Sequence, residues 1–294
     1  MIKYIHCFGT SFTAGGGHEF DGITNNRNVN SKTSDYVRDL MYFYKKKYPH
    51  EEQTLFNCSW PGQLQKLVND EIIVLNHAKS GYGNDRMMRI TNDIVNDIPN
   101  DEFNYWNSFE KEEHLFLFEF AGLGRNELFS NTLDDFIVTN YNLTDKNTFE
   151  YNGAANNYFY DDVEKTRILD SLSDDIIEPF YKEFLNIKPQ MDKLIMMDNF
   201  FLSFLKEKKL NFIFTQQPSH FDQAMFDSSH YINYSSRTPN FVDYYNDKNL
   251  TIERDTEGRC KDGHMGMQGA KTISLIIHNH LVKSGYLKKL NNYI

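Results

Sequence analysis

The sequence predicts an α/β fold built on a mostly parallel sheet, and three observations predict it. Short apolar runs at residues 2–8, 72–75 and 115–120 have the length and the β-branched or aromatic content of strands. Each is followed closely by glycine: Gly9, then Gly81 and Gly83, then Gly122 and Gly124. Helical patterns separate successive runs, as parallel pairing requires. In such sheets the carboxyl ends of the strands present ligand-facing residues.

The first run enters the turn Gly9-Thr10-Ser11, where glycine permits a sharp bend and Ser11 sits where a nucleophile is held clear of its own backbone. The plainer reading is a turn whose Ser and Thr hydroxyls bond nearby backbone. Residues 15–32 form a Gly- and Asn-rich loop, and residues 35–48 space Val37, Leu40, Met41 and Tyr44 as one helix face, stopped by Pro49. Ser59-Trp60-Pro61 precedes a second helix over residues 63–68, with Pro61 near its first turn and Trp60 as a packing residue. After the second strand, Asn84 or Asp85 is expected to cap a helix reaching about residue 98.

The third strand leads into Gly124-Arg125-Asn126-Glu127, where Asn126 is a side-chain donor or a cap. From residue 129 to about 160 no period is visible, which predicts an irregular insertion. Residues 162–208 are helical in pattern, broken near Pro189, with Met196-Met197 and Phe200-Phe201 read as core. A fourth strand is expected over residues 211–215. A long loop follows to Cys260, of the length used for lids, and then Asp262-Gly263-His264 opens a last helix through Leu281.

The 294 residues suffice for one large α/β domain, and 40% hydrophobic with 15% aromatic residues can supply its core. A net charge of -10, from 31 Lys and Arg against 41 Asp and Glu without a sustained basic run, argues against nucleic acid as a partner. Cys7, Cys58 and Cys260 lack CxxC spacing and are odd in number, so neither a disulfide framework nor a thiolate zinc site is expected. The amino-terminal run is too short and polar for a secretion signal, and no segment has the length of a membrane helix. The expectation is a cytoplasmic protein, cellular or virus-encoded, whose Asn-x-Ser/Thr matches at Asn57 and Asn142 carry no glycan.

Four ordered pieces, Gly9-Thr10-Ser11, Gly81, Gly124-Arg125-Asn126-Glu127 and Asp262-Gly263-His264, together resemble the blocks of the SGNH (GDSL-like) hydrolase superfamily. The resemblance implies a three-layer α/β/α sandwich with a flavodoxin-like, mostly parallel sheet of about five strands. It implies Ser11 as nucleophile, His264 as general base and Asp262 as the group that orients the imidazole. The oxyanion donors would be the backbone N–H groups of Ser11 and Gly81 and the side chain of Asn126. Thr10 replaces the family's Asp before the nucleophile, and Glu127 replaces another Asp. Asp262 lies two residues before His264 where the family form has three, so a Ser-His dyad is the fallback.

Competing motifs carry less. Gly15-Gly16-Gly17 lacks both phosphate-loop and dinucleotide spacing. His278 and His280 face different sides of a helix, and Cys260 with His264 lacks a second ligand pair. The expected protein is a single domain over residues 1–294, with a large insertion at about 129–190 and a long loop at about 218–260. The expected activity is serine ester hydrolysis without metal or other cofactor. The favoured substrate is a carbohydrate O-acetyl ester, suggested by polar, Tyr-rich segments around residues 131–160 and 228–250. The alternative is a non-catalytic glycan-binding or assembly protein that retains this fold.

Overall fold

Strand β1 (Tyr4–Phe8) is the centre of the sheet, and its five residues divide by parity between the two faces. The computed structural model describes residues 1–14, 56–57, 59–78, 83–98, 108–120, 125–130, 135–143, 149–154, 187–216, 230–232, 251–252, 262–265 and 267–288, with the single positions 132, 234, 244 and 248. The expected helix over residues 35–48, its stop at Pro49 and the loop before it lie outside these residues. β1 is parallel to β2 (Ile73–Asn76) on one side and to β3 (His114–Glu119) on the other. β3 is parallel in turn to β7 (Asn211–Gln216). The order β2-β1-β3-β7 is 2-1-3-4 when only these strands are numbered. Its direction of winding reverses between β1 and β3, the switch point at which open α/β sheets form crevices. Among the described residues the sheet has four strands, and an isolated parallel bridge joins Phe214 of β7 to Tyr231.

All six residues of β3 are buried, as expected of a parallel strand covered on both faces. Ile5, Cys7, Val74, Leu115, Leu117 and Ile213 join one hydrophobic cluster with α2 (Trp60–Gln65) and α5 (Met267–Lys283). Phe8, Phe116, Phe118, Phe212 and Phe214 join another with α3 (Asn84–Val95) and α4 (Ile187–Glu207). The sheet is thus aliphatic toward one helix pair and aromatic toward the other.

The helix boundaries have local causes. Ser59 caps α2 by accepting from the Gly62 N–H (3.3 Å) and also donates to the Phe56 carbonyl (2.7 Å), while Pro61 occupies the first turn. A side chain at Gly62 would run into the Phe56 carbonyl, so this helix position has no room for one. Helix α3 departs from expectation: Gly83 is its N-cap, no side chain caps it, and Asn84 and Asp85 are already helical. Asp85 then acts as an acidic residue in the first turn. α4 runs from Ile187 with Pro189 in its first turn, and the part of the expected helical stretch before residue 187 lies outside the described residues. On α4, Phe201, Leu202 and Leu205 enter the core, but Met196 and Phe200 are 52% and 67% exposed. The expectation of core there therefore holds for Phe201 and fails for Met196 and Phe200, one turn apart on the outer face.

The stretch expected to be irregular from residue 129 carries regular structure. β4 (Arg125–Ser130), β5 (Asp135–Leu143) and β6 (Phe149–Ala154) form an antiparallel sheet in consecutive order. In Asp135–Leu143 the apolar residues Phe136, Ile137, Val138, Tyr141 and Leu143 fall at both parities among Asp, Thr and Asn, so the sequence shows no strand period. β8 (Thr251–Ile252) and β9 (Asp262–Met265) form a short antiparallel pair before α5. No helix among the described residues is long and apolar enough to cross a membrane.

Candidate active site

The turn that follows β1 is tied down from three elements. Gly9 and Thr10 lead into α1 (Ser11–Ala14), a single turn closed by the Ala14 N–H donating to the Thr10 carbonyl (2.9 Å). From β3, the Glu119 carboxylate accepts from the Thr10 backbone N–H (3.2 Å), from the Thr10 hydroxyl (2.5 Å) and from the Thr13 hydroxyl. From α2, the Trp60 indole N–H donates to Thr13 Oγ1 (3.0 Å). From β2, the Asn76 side-chain amide donates to the Thr13 carbonyl (3.0 Å), and its Oδ1 accepts from the Ala78 N–H (3.1 Å).

Glu119 is 1% exposed, and a carboxylate so placed is tolerable only where donors replace water. Thr10 and Thr13 supply them. The same packing explains Gly9, whose added Cβ would run into the Glu119 carboxylate and the Thr13 hydroxyl. The glycine was expected for its backbone freedom, but among the described residues the one glycine in the left-handed region is Gly285 (φ +81). Gly9 is there for room.

The expected site residues are distributed as follows. Ser11 is the first residue of α1, at the carboxyl edge of β1. Gly81 lies outside the described residues. Asn126 lies within β4, in register with Thr139 of β5, and so on a strand instead of the expected turn; β4 neighbours α3. Glu127 is in register with Val138 on the same strand. Asp262 and His264 are both in β9, which neighbours α1 and α5, with Cα atoms within 8 Å. The fold therefore brings the Ser11 segment and the His264 segment together from opposite ends of the chain.

The ladder of β9 is interrupted between those two residues. Ile252 pairs with Asp262 but Thr251 pairs with Met265, which leaves Gly263 and His264 as extra residues on β9. Such bulges bend a strand locally.

A second polar group lies on the aromatic side of the sheet. His6 Nδ1 is 2.9 Å from His77 Nε2, and His6 Nε2 is 2.8 Å from His114 Nδ1, all three rings buried and stacked. A neutral imidazole donates at one nitrogen and accepts at the other, so an uncharged His6 can donate to one neighbour while accepting from the other. Burial, and then the neighbouring His77 and His114, push the His6 pKa well below its usual value. Burial likewise lowers His114 to about 4, against the opposing charges of Glu113 and Asp97. Among the described residues no group of three or more His, Cys, Asp or Glu is arranged to hold a metal ion.

No protein-family model matches the chain, and no curated protein or solved structure matches it either.

Sequence reasoning passed over Glu119, Thr13 and Trp60 as partners. The signal was present: Glu119 is the sole charged residue in the run Leu115 to Phe120, and a charge inside a fully buried strand requires donors from elsewhere.

Proposed function

We propose that the protein is a serine ester hydrolase of the SGNH type. The observation that carries this reading is the juxtaposition of α1, which begins at Ser11, with β9, which contains His264, beside the reversal point of a parallel sheet. In this reading His264 takes the proton of the Ser11 hydroxyl as Oγ attacks the ester carbonyl. The tetrahedral intermediate collapses with loss of the alcohol, which receives the proton from the imidazolium. Water, activated by the same histidine, then hydrolyses the acyl-serine. Asp262 orients the imidazole, and the Ser11 and Gly81 N–H groups with the Asn126 amide face the developing oxyanion. No metal or other cofactor enters this scheme.

The rest of the proposal follows from the same resemblance. Helices over both faces of a five-stranded sheet make the three layers, in one domain whose insertion at about 129–190 and loop at about 218–260 shape the substrate cleft. Their Tyr, Asn and Asp content favours a glycan O-acetyl ester in the cytoplasm over a lipid. The interrupted ladder at Gly263 and His264 favours the second reading, a non-catalytic glycan-binding or assembly protein.

Labelling with a fluorophosphonate and hydrolysis of an aryl acetate separate the two. The esterase reading expects both from the wild type and neither from Ser11→Ala or His264→Ala. A folded wild type that does neither supports the binding reading, and equal activity in Ser11→Ala places the chemistry on another residue.

A further inference from the structure

We propose that Glu119 is the positioning residue of the nucleophile turn, acting on Ser11 through Thr10 and Thr13; this rests on the esterase reading. Three hydrogen bonds converge on its carboxylate, and they come from the residue just before Ser11 and from the residue two after it. Glu119 thereby brackets the serine without replacing it. The carboxylate also links the end of β3 to the turn after β1, where the sheet reverses its winding.

Glu119 is buried, and its neighbours Thr10, Thr13 and Trp60 are buried with it, so the carboxylate is closed off from direct contact with substrate. Apolar residues would fill the same volume without the expense of burying a carboxyl group, so its retention inside an otherwise apolar strand asks for a task that directed acceptors perform. Holding the Thr10 N–H and two hydroxyls in fixed directions is such a task, since misplacing a catalytic group by about 1 Å costs on the order of 100-fold in rate. The close approach at Gly9 belongs to the same device: the missing side chain there is what lets the carboxylate reach the turn.

The test compares wild type, Glu119→Gln, Thr10→Val and the double variant. Glu119→Gln keeps the shape but turns a donor toward the donors of Thr10 and Thr13. It is expected to stay folded by circular dichroism and to lower kcat for an aryl acetate by about 100-fold with KM little changed. Fluorophosphonate labelling should slow in parallel. The Thr10 amide should exchange with solvent about tenfold faster or more, while exchange in β3 is unaltered. Thr10→Val should lower kcat similarly, and the double variant should fall no further, because both changes break one unit. Unchanged Thr10 exchange, or faster exchange with wild-type kcat, overturns the proposal. A rise in KM alone overturns it too. A wild type that neither labels nor hydrolyses defeats the esterase reading itself and the positioning role with it, and is told apart because activity is then missing before any substitution.

Discussion

The Trp60 indole N–H donates to the Thr13 hydroxyl oxygen across 3.0 Å, and that hydroxyl in turn donates to Glu119. One buried side chain from α2 is thereby linked to the end of β3 through the turn that holds Ser11. Trp60 was expected only to pack; it packs, fully buried, and also completes the threonine's hydrogen bonding. Trp60→Phe retains most of the apolar volume and removes the donor. It should lower stability by about 1–3 kcal/mol in urea titrations, whereas Trp60→Ala, which also opens a cavity, should cost about 3–5 kcal/mol.

Gly9→Ala should be more disruptive than its single methyl suggests. The new Cβ meets the Glu119 carboxylate and the Thr13 hydroxyl, both fixed by their partners. Overpacking of a fixed site typically costs about 1–3 kcal/mol, so a melting temperature several degrees below wild type is the expected result. A melting temperature equal to wild type would mean that the anchor yields.

The histidine row predicts an acid limb. Folded His114 has its pKa lowered from 6.5 to about 4, so within that window the unfolded chain binds a proton that the folded chain refuses. Stability therefore falls as pH falls from about 6.5 toward about 4 and levels off below, by at most about 3 kcal/mol from this residue. His6 adds in the same direction. His114→Phe, which preserves the ring stacked on Tyr4, should be less stable near neutrality but show a shallower acid limb in pH-dependent urea titrations.

Asp198 predicts the opposite slope. Burial, with the charge of Asp85 adding to it, raises its pKa from 3.8 to about 7. The folded state holds this proton where the unfolded chain has lost it, so the contribution is fully present below about pH 3.8 and is lost as pH rises through about 7. Between about pH 4 and 6.5 Asp198 offsets His114, so the acid limb of wild type is shallower than the two histidines alone would give. Asp198→Asn should expose the histidine slope and should be the more stable protein at about pH 8 by a few kcal/mol, read by the same titrations. A steeper loss of stability above neutrality in the variant would contradict this.

The parallel sheet was legible because β1, β2, β3 and β7 are short, apolar and bounded by turns, and because buried parallel strands cannot hide their composition. The place of Pro61 in the first turn of α2 was legible from local chemistry alone. The meander β4–β6 was not, because its polar residues blur the strand period and its pairing is settled by neighbouring strands. Nor was the anchor: Glu119 and Thr10 are 109 residues apart, and only the β1–β3 pairing brings them together. The approach of α1 to β9 follows the order of motifs, but the bulge at Gly263 and His264 comes from the pairing with Thr251 and Ile252, which no local pattern signals.

The central claim is that Ser11 is a nucleophile activated by His264. The most direct measurement is mass spectrometric mapping of the protein after treatment with a fluorophosphonate. The account predicts one adduct, on Ser11, formed by wild type and abolished in His264→Ala at equal folded content. No adduct on folded wild type, or an adduct on any other residue, would contradict it.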